Sequence, residues 1–74
     1  MMNDREAYCF TFGSDSPLAN CFVRFTGDFG SARGKMFNAF GDKWAFQYEE
    51  KEFEPQIEKY GLTEIPTGKR YEDL

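Results

Sequence analysis

Five glutamates between positions 49 and 58 are the densest group of residues that could do chemistry. They are Glu49, Glu50, Glu52, Glu54 and Glu58, with Lys51 and Lys59 among them. Carboxylates in this number could ligate a metal, act as an acid and base pair, or form an acidic docking surface. Metal binding needs carboxylates that converge in a rigid cavity, which a solvated helix lacks, so no metal site is predicted.

These glutamates could simply form a solvent-exposed helix face with no binding role. Alternatively, they could form a surface that binds a basic partner. In the functional interpretation, Asp28 and Asp42 join the five glutamates as candidate partner-binding residues. Such a surface would act by charge complementarity rather than by catalysis.

A glycine-rich run from Gly27 to Lys35 could hold a phosphate at a helix start. A Walker-type loop, however, needs Gly where this chain has Phe29, and Ser or Thr where it has Met36. The glycines of the run do not follow the dinucleotide-binding spacing either. The run is therefore interpreted as a strand-to-helix turn.

The residue types missing from the chain exclude most enzyme classes. The 74 residues include no histidine, which removes Ser/His/Asp and Cys/His catalytic arrangements and imidazole zinc sites. Two cysteines, Cys9 and Cys21, are too few for a disulfide framework. Thirteen acidic residues against nine basic ones give a net charge of -4, which disfavours contact with a phosphate backbone. We predict a non-enzymatic protein with no cofactor and no direct contact with nucleic acid.

The distribution of apolar residues predicts a cytoplasmic protein. The polar N-terminal residues lack the pattern of a secretion signal, and no stretch approaches the roughly 18 apolar residues of a membrane span. Aromatic residues make up 19% of the chain, enough for a small domain to build a core without disulfides.

Two segments, residues 7–12 and 21–26, alternate apolar and other side chains with period two and are predicted strands. Antiparallel pairing of Tyr8 with Phe25 and of Phe10 with Val23 places both apolar sets on one face. In this register Cys9 and Cys21 point to opposite faces and form no disulfide. The other face is expected to be open and to carry Cys9, Thr11, Phe22, Arg24, Thr26, Ala45 and Gln47.

From Phe29 the apolar spacing changes to three and four, which predicts a helix capped by Asp28 or Ser31 and ended by Gly41. Its apolar stripe is Phe29, Ala32, Met36, Phe37 and Phe40. A third strand is predicted over residues 43–48, with Trp44, Phe46 and Tyr48 inward.

A second helix of about ten residues is predicted after the third strand. Its apolar residues are Phe53, Ile57 and Tyr60. Pro55 is expected in its first turn, where proline is tolerated, and Gly61 at its end. Residues 62–65 would form a short edge strand.

These elements predict one α+β domain over residues 1–74, in the order β-β-α-β-α, with a three- to four-stranded, mostly antiparallel sheet. Both helices are expected on its aromatic face, and residues 1–6 and 66–74 are expected to be loose around an ordered core of residues 7–65. The expected core is Phe10, Phe25, Phe37, Phe40, Trp44, Phe46 and Ile57.

The open face of that sheet offers an alternative site for a small ligand such as a signalling nucleotide. There Arg24 would pair with phosphate, Phe22 would stack on a base and Gln47 would lie beside them. The net charge of -4 disfavours this reading, because it repels polyanions.

Three motifs give the chain a family resemblance. They are Thr11-Phe12-Gly13, Ala32-Arg33-x-x-Met36-Phe37-x-x-Phe40-Gly41-x-x-Trp44-Ala45-Phe46-Gln47-Tyr48, and Phe53-x-x-Gln56-Ile57-x-x-Tyr60-Gly61-Leu62. Over residues 8–65 the chain resembles a family of short proteins encoded by bacteriophages and prophages. The resemblance implies a phage setting, where many small acidic proteins inhibit bacterial defence, and it assigns no catalytic or binding residue.

The resulting hypothesis is a phage protein that inhibits a host defence complex, for example a CRISPR effector, by stoichiometric binding. Its acidic surface would occupy a basic groove that normally holds nucleic acid. It would act in the cytoplasm of the bacterial host, without membrane contact, as a monomer or homodimer. The alternatives are a binder or sponge for signalling nucleotides, and an accessory phage protein with a minor structural role.

Overall fold

A computed structural model describes residues 6–66, 68–70 and 72. Its elements are β1 (Ala7–Thr11), β2 (Cys21–Thr26), α1 (Phe29–Phe40), β3 (Phe46–Glu49), α2 (Glu50–Tyr60) and β4 (Thr63–Ile65). The strands form one four-stranded sheet that is mostly antiparallel. The predicted α+β class and the short fourth strand are confirmed.

Most of the residues predicted to be loose at the termini, 1–5, 67, 71, 73 and 74, lie outside the described residues. The backbone of Glu6, which was also predicted to be loose, accepts a hydrogen bond from the N–H of Gly27 at 2.8 Å.

The strand order across the sheet is β3-β1-β2-β4, so β1 and β2 are central and β3 and β4 are edges. β1 runs antiparallel to both β2 and β3, and β4 runs parallel to β2. The predicted pairs Tyr8–Phe25 and Phe10–Val23 are both present. The alternation of the first two strands therefore predicted their register correctly.

The two helices lie on opposite faces of the sheet, so the prediction that both cover one face is wrong. Ala32 and Met36 of α1 are buried against Phe10 on one face. On the other face, Phe53 of α2 is buried against Cys9 and Phe22. The face expected to be open is therefore covered by α2.

Crossover geometry explains this arrangement. β2, β3 and β4 all point the same way, and α1 carries the chain from β2 to β3, across β1. The α2 connection then returns in the opposite direction, from β3 to β4. Connections between parallel strands strongly prefer one hand, and two crossovers in opposite directions share a hand only when their helices lie on opposite faces.

β3 has the opposite side-chain orientation to the predicted one. Thr11 is opposite Phe46 and Phe10 is opposite Gln47, so Gln47 faces α1 whereas Phe46 and Tyr48 lie on the α2 side. The strand begins at Phe46 rather than at residue 43, and Trp44 precedes it in a loop. Trp44 is thus free of the strand alternation, and its ring packs edge-to-face on Phe10 at 5.1 Å.

The core differs accordingly from the predicted set. Phe10 and Phe40 are buried, while Phe25 and Trp44 are half-buried against them. Ile57 is half-buried in the α2-side cluster. Phe37 and Phe46, predicted to be core residues, are 46% and 59% exposed. Phe22, predicted to lie on an open face, is 1% exposed.

The predicted ends of α1 are confirmed. The backbone N–H of Ser31 donates to Oδ1 of Asp28 at 2.8 Å, and this hydrogen bond lowers the pKa of the Asp28 carboxyl. Gly41 ends the helix with a φ of 59° and donates to the carbonyl of Phe37 at 2.8 Å.

α2 begins earlier than its proline suggested. The helix starts at Glu50, so Pro55 lies in the second turn and not in the first, as predicted. Its ring nitrogen cannot donate to the carbonyl of Lys51. Gly61 ends the helix in the left-handed conformation, as expected.

Phe22 is buried and Phe46 is exposed, the opposite of what the sequence predicted, and this difference can be tested by stability measurements. Phe22→Ala should lower the free energy of unfolding by about 3–5 kcal/mol, because it opens a cavity between the sheet and α2. Phe46→Ala should cost less than about 1 kcal/mol, because the ring is exposed on an edge strand. Urea denaturation of both variants measures this. Equal losses would contradict the placement of α2 described above.

A second prediction concerns the pH dependence of stability through Cys9. Both cysteines are free; Cys9 is buried, and burial raises the pKa of its thiol from 9.0 to about 11. Between these values the unfolded chain has lost the thiol proton and the folded chain has kept it, so the free energy of unfolding falls as pH rises.

The stabilisation that Cys9 gives is fully present below pH 9.0. As pH rises past 11, the free energy of unfolding should fall by up to about 2–3 kcal/mol. Urea denaturation across this pH range should show the loss in the wild-type chain and in Cys21→Ala. Cys9→Ala should lose less stability over this range, because only groups such as the Tyr8 phenol, whose pKa is also raised, then contribute. An unchanged slope in Cys9→Ala would contradict the assignment.

Candidate functional site

The three residues of the predicted ligand face do not lie together. The ring of Phe22 packs on Phe53 with centroids 5.4 Å apart, beneath α2. Arg24 lies on the same side, whereas Gln47 faces α1. The structure therefore leaves no open surface that Phe22, Arg24 and Gln47 share.

Arg24 is engaged in joining three elements. Its Nη1 is 2.8 Å from Oε2 of Glu50 in α2, and its Nε is 3.6 Å from Oε2 of Glu64 in β4. Glu50, a predicted partner-binding residue, is thus committed to an ion pair that links α2 to β2. A partly buried pair of this kind fixes the position of α2 more than it offers a surface to a partner.

The other predicted acidic residues are spread over the molecule. Asp28 caps α1, and Glu49 lies opposite Tyr8 in the ladder. Partial burial raises the pKa of the Tyr8 phenol, and the carboxylates of Glu6, Glu49 and Asp28 raise it further. Asp42 lies in the turn after α1.

Glu52, Glu54 and Glu58 are exposed on α2. Across residues 6–66, 68–70 and 72, no three acidic or thiol side chains converge as metal ligands. The predicted acidic residues are therefore dispersed over α1, β3 and α2.

Large apolar side chains that are exposed all border one edge of the sheet. Within the described part of the chain they are Phe29, Phe37, Phe46, Tyr48 and Tyr60, which we call the aromatic edge. The first three line a cavity of about 330 Å³ on the α1 side of β3. The two tyrosines line a cavity of about 520 Å³ on the α2 side. Apolar exposure concentrated in this way is typical of an interaction site.

Arg33 lies within the aromatic edge. It stands one helical turn from both Phe29 and Phe37, and its guanidinium carbon is 5.8 and 5.5 Å from their ring centroids. The same carbon is 5.0 Å from the centroid of Trp44, which makes three cation–π contacts for one side chain.

Polar contacts fix the orientation of this guanidinium. Arg33 Nη1 donates to Oε1 of Gln47 at 3.1 Å, and Nε2 of Gln47 donates to the carbonyl of Phe29 at 3.2 Å. The indole N–H of Trp44 donates to the carbonyl of Gly41 at 3.0 Å. Arg33 is therefore held by α1, β3 and the loop between them before any partner arrives.

Sequence reasoning missed Arg33, although its spacing carried a signal. The apolar stripe predicted for α1 was too wide for one contact face. It contains one line, Ala32, Met36 and Phe40, that is buried, and a second line, Phe29 and Phe37 around Arg33, that is exposed. A cation between two phenylalanines at four-residue spacing was the sign that the second line faces solvent.

The side chains of the aromatic edge can bind, and the buried thiol of Cys9 takes no part in that surface. The thiol of Cys9 is fully buried with a pKa of about 11, so it is protonated and inert near neutral pH. The aromatic edge offers flat apolar surfaces, one oriented guanidinium and carboxylates at either end of β3. Surfaces that bind proteins are enriched in these residue types.

The described residues contain no helix that is long and apolar enough to cross a membrane. The chain matches no protein-family model, and comparisons with curated proteins and with solved structures give no match either. The resemblance to phage proteins therefore stays a prediction from the motifs.

Trp44 is the only tryptophan in the chain, so its fluorescence reports on the aromatic edge. Arg33→Ala should shift its emission to longer wavelength, because the indole loses the guanidinium that covers its face. The free energy of unfolding should fall by less than about 1 kcal/mol. Lys51→Ala on the outer side of α2 is the control and should change neither value. An unchanged spectrum for Arg33→Ala would contradict the stacked geometry.

Proposed function

We propose that this domain acts without catalysis, by stoichiometric binding to another protein through the aromatic edge and Arg33. The supporting observation is that every large apolar side chain exposed in the described residues borders β3. A monomer with no partner gains nothing from leaving five aromatic rings in water along one edge.

The types of residue on this edge support a protein partner. Aromatic and arginine side chains give most of the binding energy at protein interfaces. Aromatic rings bury a large area and lose little conformational freedom on binding. Here Arg33 is already stacked and hydrogen-bonded, so binding would not have to order it.

The charge around the edge supports a basic partner. Asp42 borders the α1-side cavity, and Glu52 borders the α2-side cavity. Glu49 ends β3, and the whole chain carries a net charge of -4. These carboxylates would speed association with a basic surface and disfavour an acidic one.

The specific target that we propose is a bacterial defence complex, such as a CRISPR effector, on the basis of the resemblance to phage proteins. Its basic groove for guide or target nucleic acid has the charge that the carboxylates around β3 require. Compared with the sequence-based hypothesis, the aromatic edge takes the place of Glu54 and Glu58 as the anchor. An accessory phage protein with a minor structural role remains the alternative.

Binding to purified defence complexes tests this function. The tagged chain should retain at least one of them at low salt and lose part of it at about 0.5 M salt, because the charge contribution is screened. Phe46→Ala should abolish retention, since it removes an exposed ring with little loss of stability.

The matched control is Lys51→Ala on the outer side of α2, which should bind like the wild-type chain. If Glu54→Gln with Glu58→Gln abolishes binding while Phe46→Ala does not, the acidic helix is the binding surface and the proposed edge is wrong. If no complex is retained at low salt, the defence target is wrong.

A further inference from the structure

The binding mode can be inferred from the position of β3, and this inference rests on the proposed function. We propose that the partner contributes an extended segment that adds to β3 as a fifth strand of the sheet. The segment would alternate apolar residues with lysine or arginine. Main-chain hydrogen bonds would hold it, and the two cavities beside β3 would select its side chains.

β3 has a side available for pairing. It pairs with β1 only, and no other strand of the described residues borders it. An edge strand leaves every second N–H and C=O group pointing outward, which is a template for another strand. Proteins often block such an edge with proline or lysine, and β3, with the sequence Phe-Gln-Tyr-Glu, contains neither.

The cavities lie on the two faces that an added strand would present. Residues along a strand point alternately to opposite faces, so neighbours in the segment would enter different cavities. One would reach the α1-side cavity, beside Phe29 and Phe37. The next would reach the α2-side cavity, beside Tyr48 and Tyr60. A segment in which two kinds of side chain strictly alternate can therefore fill both cavities.

The lining of each cavity indicates which side chain it takes. On the α1 side, the rings of Phe29, Phe37 and Trp44 surround Arg33. Its charge faces these rings and Gln47, so the cavity fits an apolar side chain.

On the α2 side, Glu52 and two tyrosine rings line a cavity whose lining, in the described residues, holds no lysine or arginine. Nζ of Lys59 already lies 5.4 Å from the ring centroid of Tyr60. A lysine or arginine from the partner would gain an ion pair with Glu52 and a cation–π contact with Tyr48.

Charge decides against a second copy of this chain as the occupant. Two copies would each bring a net charge of -4 to the contact. Two β3 strands paired with each other would offer Phe46, Gln47, Tyr48 and Glu49 to the cavities, and none of these side chains is a cation for Glu52. A basic segment from a different protein meets both requirements.

Selection from a displayed library of random linear peptides tests the inference. The purified domain should enrich peptides in which apolar residues alternate with lysine or arginine. When a selected peptide is bound, hydrogen exchange measured by NMR should slow at alternate amides of residues 46–49, those that point away from β1. Amides of α2 on its outer side should exchange as before.

Matched variants test the α2-side cavity. Glu52→Gln should weaken binding of a selected basic peptide by about tenfold, because it removes the carboxylate but keeps the shape. Glu54→Gln, on the same helix but outside the cavity, should change the affinity by less than about twofold.

Three results would overturn the inference: no enriched peptide, enriched peptides without alternation, or binding that leaves exchange at residues 46–49 unchanged. Concentration-dependent protection of these amides in the free protein would indicate a homodimer instead. A defence complex could be retained in a way that depends on Phe46 while amide exchange in β3 does not slow. That result would support the proposed function and exclude strand addition.

Conversely, a peptide could slow amide exchange in β3 although no defence complex is retained. That result would support strand addition and exclude the defence target.

Discussion

The handedness of chain crossovers is the constraint on which the rest of this structure depends. Three parallel strands are connected by two helices that travel in opposite directions across the sheet, so one shared hand places the helices on opposite faces. Both faces of the central strands are therefore buried, by Met36 on one side and Phe53 on the other. With the faces covered, the aromatic rings of β3 and its neighbours can only be displayed at the edge.

Patterns of neighbouring residues correctly predicted the elements that such residues determine by themselves. Alternation in residues 7–12 and 21–26 predicted β1, β2 and their register, and Asp28 and Gly41 marked the ends of α1 correctly. The strand order is not local, because it depends on which strands meet after the chain has crossed the sheet twice. Without that order, Phe22 looked exposed, although α2 covers it.

The candidate site was harder to predict because it depends on which face of the sheet each side chain of β3 points to. The alternation of Trp44, Phe46 and Tyr48 suggested one inward face, but Trp44 lies in a loop and the other two rings face the α2 side. That difference separates Phe46 from the core and leaves Gln47 to orient Arg33. The acidic residues were identified correctly as exposed, apart from Glu50, whose ion pair with Arg24 only the fold reveals.

The late position of α2 and β4 in the chain has a consequence for biosynthesis. β1, β2 and α1 are complete by Phe40, yet Cys9 and Phe22 gain their cover only when Phe53 leaves the ribosome. Until then a growing chain exposes an apolar sheet face to solvent, and such surfaces bind chaperones or aggregate. Completing α2 is therefore the step that removes this surface from solvent during folding.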